Sequence, residues 1–214
     1  LYKHVLVVGC DVLTEFVVSG FNSFHALANS PCQPFDKDRS GVSLGEACAC
    51  LLFSTQALSE VILSGGAISN DANHISGPSK TGEELAWCIQ QAMSEAQVKP
   101  NEIGCISAHG TATPYNDEME SKAFEISGLS DAPAFSLKAN FGHTLGAAGV
   151  MELSLAAACL KQQVVLPSAG FRNLGVSGLM TVSENLTQKE YKHIVKTGSG
   201  FGGCNASVVL SRVA

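Results

Sequence analysis

The sequence predicts a layered α/β fold, and two observations support this prediction. Short apolar runs that are typical of buried strands alternate along the chain with segments of helical periodicity. Hydrophobic residues make up 45% of the 214 residues and charged residues only 15%, with 21 glycines. This composition is typical of a densely packed core and not of a disordered chain. The sequence has no low-complexity tract and no linker, so we expect one compact unit.

The first third of the chain is predicted to hold two buried strands. Residues 4–10 are a β-branched run that is typical of a strand buried on both faces. Residues 11–29 pass through an irregular stretch into a short helix, and a proline-containing loop follows. Residues 44–54 predict a second buried strand, and a helix or hairpin is expected near residues 57–64.

The rest of the chain continues the alternation with clearer helices. Residues 83–97 carry apolar side chains at three- to four-residue spacing, which predicts a helix. Asp117 is positioned to cap a helix that runs to about residue 127. Residues 146–162 are apolar around most of the helical circumference, so this helix should be buried. Further strands are predicted at Ile103–Ala108, Phe135–Leu137, Val164–Ser168, Leu179–Ser183, His193–Phe201 and Ala206–Val213.

Charge and cysteine content exclude several classes of function. The net charge of −6 argues against broad nucleic-acid binding, which depends on Lys and Arg facing phosphates. The eight cysteines show no C-x-x-C pair and no zinc-ligand spacing. We interpret them as buried reduced thiols in a reducing compartment, the cytoplasm. No apolar stretch reaches the roughly 18 residues that a membrane span requires.

Two histidines follow predicted strands directly. His109 lies after the strand at residues 103–108, and His143 lies shortly after the strand at residues 135–137. Active sites of α/β sheets gather at the carboxyl ends of strands, so both rings could meet in one pocket. The alternative is that each is a hydrogen-bonded core histidine. The glycines beside both rings favour the pocket.

Two further motifs leave a structural and a functional interpretation open. Lys138 lies in an apolar neighbourhood where a charge should be paired, and Glu152 on the predicted buried helix is the candidate partner. That pair is either a structural ion pair or part of a site. The glycine-rich segment Gly198–Gly203 lies between two predicted strands. Its amides could form an oxyanion hole, or it could be a plain hairpin turn.

Taken in order, five motifs resemble the elongating 3-oxoacyl-acyl carrier protein (β-ketoacyl) synthases of the thiolase superfamily. The resemblance implies a thiolase-like layered α-β-α fold with an incomplete N-terminal half. Residues 1–70 would be the remainder of that half, and residues 71–214 would be the C-terminal half. Ser76 stands where the family usually has threonine. The motifs are PFDKDRSGVSLGEACA, NDANHISGPSKTG, HGTATPYND, KANFGHTLGAAG with Glu152 beyond it, and GSGFGG.

The resemblance also implies a role for each matching residue. His109 and His143 would hydrogen-bond the carbonyl of a malonyl thioester and stabilise the enolate formed when CO2 is lost. Lys138 and Glu152 would fix His109 and the local field. The remaining matches would contact substrate, through the pantetheine arm, the gate and the oxyanion hole: Thr111, Thr113, Phe201 and Gly202.

The cysteine nucleophile of the family has no match. None of the eight cysteines lies in a small-residue motif that resembles T-A-C-S-S. The chain starts without Met and enters a strand almost at once, so we expect it to be the C-terminal portion of a synthase. A separate N-terminal region would then supply the nucleophile.

The function implied is decarboxylative Claisen condensation of an acyl thioester with malonyl-acyl carrier protein, in fatty acid or polyketide assembly. The alternative is a non-catalytic partner that resembles the chain-length factors, which retention of both histidines disfavours. An initiating synthase would carry asparagine in place of His109. The implied partners are an acyl carrier protein and a second subunit, in a homodimer or a ketosynthase heterodimer. This chemistry requires no metal and no organic cofactor.

Overall fold

The computed structural model describes residues 2–213, which contain ten strands and five α-helices. The helices are α1 Glu15–Ser23, α2 Glu83–Ala96, α3 Pro114–Ile126, α4 Lys138–Phe141 and α5 Ala148–Gln162. The strands are β1 His4–Asp11, β2 Ala47–Ser54, β3 Val61–Asn70, β4 Ile103–Ser107, β5 Pro133–Phe135, β6 Val164–Val165, β7 Thr181–Val182, β8 Thr187–Gln188, β9 His193–Gly200 and β10 Cys204–Arg212.

A six-stranded sheet in the order β3-β10-β9-β4-β5-β7 forms the centre of the molecule. Strands β9, β4, β5 and β7 are parallel, while β3 and β10 complete the sheet in antiparallel pairing. Side chains alternate between its faces because the period of a strand is two. Ile106 and Val195 pack with helices α2 and α3, while Cys105 and Ile194 pack with α5. The predicted layered α/β fold is therefore confirmed.

Strands β1 and β2 form a separate antiparallel ribbon on the other side of α5. Gly9 faces the start of α5 so closely that a Cβ there would lie 2.8 Å from the Gly146 carbonyl oxygen. The opposite face of the ribbon is exposed: Leu6 is 62%, Val8 60% and Leu52 58% accessible. Both strands are confirmed, but the prediction that they are buried on both faces is wrong for the described residues.

Four local predictions need correction. Residues 57–64 form neither a helix nor a hairpin, because β3 begins at Val61 and pairs with β10. Helix α3 starts at Pro114, so Asp117 lies in its first turn instead of capping it. Strand β5 covers Pro133–Phe135 and not Phe135–Leu137, since the chain turns into α4 at Lys138. The buried thiols are Cys32, Cys88, Cys105 and Cys159, whereas Cys10, Cys48, Cys50 and Cys204 are exposed.

The division predicted after residue 70 stays a prediction. Because β3 belongs to the six-stranded sheet, the topology favours a boundary between β2 and β3. Among the helices of residues 2–213, none combines the length and the hydrophobicity that crossing a bilayer requires.

Candidate active site

His109 lies two residues beyond β4, at the carboxyl end of the parallel strands. Glu120 of α3 holds this turn, since its carboxylate accepts the backbone N–H of His109 at 2.8 Å and that of Gly110 at 2.6 Å. Gly110 has φ +45°, and a Cβ there would lie 2.5 Å from the Ser136 Cβ. Only glycine fits this approach of two chain segments, so the turn directs the His109 ring in a fixed way.

His143 is held from the N-terminal part of the chain. Its backbone N–H donates to the Ser43 carbonyl at 2.6 Å, and its carbonyl accepts the Gly45 N–H at 3.1 Å. Gly142 before it has φ +74°, which a residue with a side chain rarely adopts. A Cβ on Gly45 would lie 2.0 Å from the Phe141 carbonyl oxygen. The segment before β2 therefore positions the second histidine.

The two imidazole rings meet edge to face, with their centroids 5.2 Å apart and their planes at 84°. The Nδ1 of His109 lies 3.2 Å from the Lys138 Nζ, and the Nδ1 of His143 accepts the Leu145 backbone N–H at 3.2 Å. An ammonium group and a backbone N–H can only donate, so both Nδ1 atoms accept. Each neutral ring must then carry its proton on Nε2. Two imidazoles in edge-to-face contact thus each carry one N–H donor, on Nε2.

Both histidines are held in the neutral form. Burial, reinforced by the positive charge of Lys138, lowers the pKa of His109 well below its usual value. The same two causes lower the pKa of His143 to about 3. Neither ring is protonated near neutral pH, so the tautomers set by their Nδ1 partners persist there.

Lys138 and Glu152 form the ion pair that the sequence predicted, with 2.7 Å between the Nζ and Oε1 atoms. Lys138 is fully buried and also donates to the His109 carbonyl at 2.6 Å. Burial lowers the pKa of Lys138, and the charge of Glu152 opposes that shift. The pair fixes both the backbone and the ring of His109.

Lys196 is a member of the site that the sequence analysis missed. It lies on β9 opposite Ser107 of β4, and its Nζ lies 2.7 Å from the second Glu152 oxygen, Oε2. Burial opposes ionisation of Glu152, but Lys196 and Lys138 together lower the pKa of this carboxyl. A charged residue inside the apolar run HIVKTG was the signal available in the sequence. Glu120 was missed as well, since an acid on a helix is usually a solvated one.

One cavity of about 1120 Å³ adjoins both histidines and Lys196. Of the predicted substrate contacts, Thr111, Thr113 and Phe201 line it, and Gly202 is not among the lining residues. The Gly202 N–H instead donates to the Ile75 carbonyl at 2.7 Å. Apolar side chains of the ribbon, of α1 and the residue after it, and of α5 form another part of the wall: Val7, Phe21, Phe24, Leu51, Phe53, Val150 and Leu153.

Comparison with known proteins gives a consistent result. Residues 61–172 match the family described as Beta-ketoacyl synthase, C-terminal domain. A 3-oxoacyl-[acyl-carrier-protein] synthase 2 of Mycobacterium leprae is 33% identical over 84% of this chain and 45% of its own length. The polyketide biosynthesis malonyl-ACP decarboxylase PksF of Bacillus subtilis is 29% identical over 95% of this chain and 50% of its own length.

A solved structure agrees with these sequences. One chain of the complex between the ketosynthase ApeO and its chain length factor ApeC, from Xenorhabdus doucetiae, superposes with a TM-score of 0.93 at 31% identity. The match covers 99% of this chain and 53% of that chain. The chain therefore has the ketosynthase fold and spans about half the length of the relatives it matches.

Proposed function

The chain belongs to the β-ketoacyl synthase family, and we propose that it supplies the decarboxylation site of a ketosynthase that condenses an acyl thioester with malonyl-acyl carrier protein. The observation that carries this proposal is the pair of Nε2–H donors of His109 and His143 at one cavity. Donors placed where negative charge develops lower the barrier of such a step.

The proposed step uses no group beyond these side chains and the substrate. The bond between the malonyl methylene carbon and the carboxylate breaks, and its electron pair forms the enolate carbon–carbon double bond. The negative charge moves to the thioester oxygen, which the two Nε2–H groups bind. In the complete reaction the enolate carbon attacks an acyl-cysteine and releases the thiolate. Without that acceptor it takes a proton from water and becomes an acetyl thioester.

Because the cysteine nucleophile of the family has no match in this chain, decarboxylation and condensation can be tested separately. None of the eight cysteines resembles the family nucleophile in its sequence context, although Cys204 lines the cavity. We therefore expect this chain to decarboxylate malonyl-acyl carrier protein and to condense only when a polypeptide with the nucleophile is added. The malonyl-ACP decarboxylase activity in the name of PksF supports decarboxylation as an activity of this family.

The test incubates the 214-residue chain with malonyl-acyl carrier protein and follows acetyl-acyl carrier protein by mass spectrometry. His109→Ala and His143→Ala should each reduce the rate by about 100-fold or more, as removal of one such donor does. His4→Ala is the matched control, because His4 is exposed on β1 and outside the cavity lining. If the wild-type chain yields no acetyl product, the decarboxylation proposal is wrong and the non-catalytic partner is favoured.

A further inference from the structure

Two lysines from different elements share one buried carboxylate in this site. Lys138 Nζ lies 2.7 Å from Glu152 Oε1, and Lys196 Nζ lies 2.7 Å from Glu152 Oε2. All three side chains are at least nine-tenths buried, with exposures of 0%, 5% and 1% for Lys138, Lys196 and Glu152. A buried charge is costly unless it is paired. One carboxylate shared by two ammonium groups leaves one positive charge of the cluster without a counter-charge.

Counting donors distinguishes the two lysines. An ammonium group has three N–H donors. Lys138 Nζ contacts three acceptors: Glu152 Oε1, the His109 carbonyl and the His109 Nδ1. Lys196 Nζ donates to the Thr197 carbonyl and is in ion-pair contact with Glu152 Oε2, an oxygen that has no hydrogen-bond partner among the described residues. Lys138 is therefore saturated, and Lys196 keeps at least one N–H for a further acceptor.

The lysine with an unused N–H, Lys196, is also the lysine that adjoins the cavity. Lys196 lines the cavity together with His109, His143 and Glu152, whereas Lys138 is not among the lining residues. Lys196 is paired in register with Ser107, two residues before His109 on the neighbouring strand. A ligand held by the two histidines would thus have an ammonium group close to its reacting end.

The other charged groups around this cluster are already engaged. Glu120 accepts the backbone N–H groups of His109 and Gly110 and the side chains of Asn116 and Thr197. Asp117 accepts two backbone N–H groups and lies 3.9 Å from Arg39 Nε. Neither acid is in contact with Lys196 in the described part of the chain.

We propose that Lys196 binds the carboxylate of a malonyl-type thioester, so that the cavity selects carboxylated acyl groups over neutral ones of the same size. The inference rests on the proposed function, because it takes the acyl thioester to lie at the two histidines. It goes further in assigning selectivity for the substrate's charge to a residue on β9.

The experiment compares two non-reactive ligands by calorimetric titration against the intact chain. One is malonyl-pantetheine with an amide N–H in place of the thioester sulfur, and the other carries a terminal carboxamide in place of the carboxylate. A charge-assisted hydrogen bond should make the carboxylate ligand bind about 10-fold tighter or more. The wild-type measurement needs no variant, so it tests the proposal even if substitutions at Lys196 impair folding.

Variants then assign the preference to one residue. Lys196→Met should bring the two affinities to within about twofold of each other, and Lys196→Arg should keep most of the preference. Lys161→Met is the matched control, since the Lys161 side chain is 65% exposed on α5 and should leave both affinities unchanged.

Three outcomes would overturn the inference. Equal binding of the two ligands to the wild-type chain would overturn it while leaving the proposed function intact. Loss of both affinities in parallel in Lys196→Met would assign that residue a structural role. Failure of the wild-type chain to bind either ligand would overturn the proposed function and this inference together.

Discussion

Strand β4 and strand β1 have similar compositions and opposite environments. All five residues of β4, IGCIS, are buried, whereas β1, HVLVVGCD, has one buried residue, Gly9. Strand β4 lies between β9 and β5 with helices on both faces, while β1 pairs only with β2 and contacts α5 on one face. An apolar run therefore predicts a strand reliably, but it does not determine what packs against it.

The ion pairs of the molecule likewise differ between a buried and a more exposed environment. The end of β4 leads into a buried polar network, in which the neutral His109 contacts Lys138, and Lys138 and Lys196 both contact Glu152. The ion pairs of Glu60, by contrast, lie at the surface, where solvent screens them. Interactions of the same chemical type should consequently differ several-fold in their contribution to stability.

The largest effect is expected when Glu152 is replaced by leucine. This change leaves two buried ammonium groups unpaired, and breaking a buried pair costs about 3–5 kcal/mol of unfolding free energy. Glu60→Leu is the matched control, because Glu60 also has two cationic partners but its side chain is 35% exposed, and the change should cost about 1 kcal/mol or less. Urea unfolding of both variants measures the difference. Equal costs would contradict the contrast between the two environments.

A smaller loss of unfolding free energy is expected from substitutions in the strands, and it should differ between β4 and β1. Ile106 of β4 is 1% exposed, so Ile106→Ala should lower the unfolding free energy by about 2–5 kcal/mol through the cavity it leaves. Val8 of β1 is 60% exposed, so Val8→Ala should cost about 0.5 kcal/mol or less. The comparison uses urea midpoints at one pH. A cost at Val8 close to that at Ile106 would show that the outer face of the ribbon is covered in solution.

The smallest effect is a change in how the unfolding free energy depends on pH. A histidine whose native pKa is depressed destabilises the fold as pH falls, because the unfolded chain binds the proton and the native chain does not. For His143 this window extends from about 6.5, the usual value, down to about 3. From pH 7 to pH 5, the wild-type chain should therefore lose about 2 kcal/mol relative to His143→Gln.

This difference isolates His143 from other buried groups. Burial raises the pKa of Asp117 to about 7, and that shift acts in the opposite direction in the same pH range. It contributes equally to both proteins, so it cancels in the comparison. His4→Gln, at an exposed position on β1, serves as the control. A wild-type stability that stays constant relative to His143→Gln would contradict the neutral, buried state of His143.

Much of the site could be predicted because its signals are local. Two histidines at strand ends and one lysine with one acid in apolar surroundings are visible in the sequence, and the structure brings these four residues together. Lys196 could not be assigned in this way, because a lysine in a strand is usually at an edge or snorkels to solvent. Its partner Glu152 lies on a different element, and only the packing of α5 against β9 brings the two together.

The sequence by itself determined the alternation of strands and helices and the residues that stand at strand ends, since periodicity and turn chemistry act over a few neighbouring residues. The tertiary structure alone decided which strands are covered, which nitrogen of each imidazole carries the proton and which lysine keeps a free donor. Those properties depend on groups from distant segments, such as Ser43 beside His143 and Glu120 beside His109. Burial and hydrogen bonding between such segments are fixed only when the layers pack.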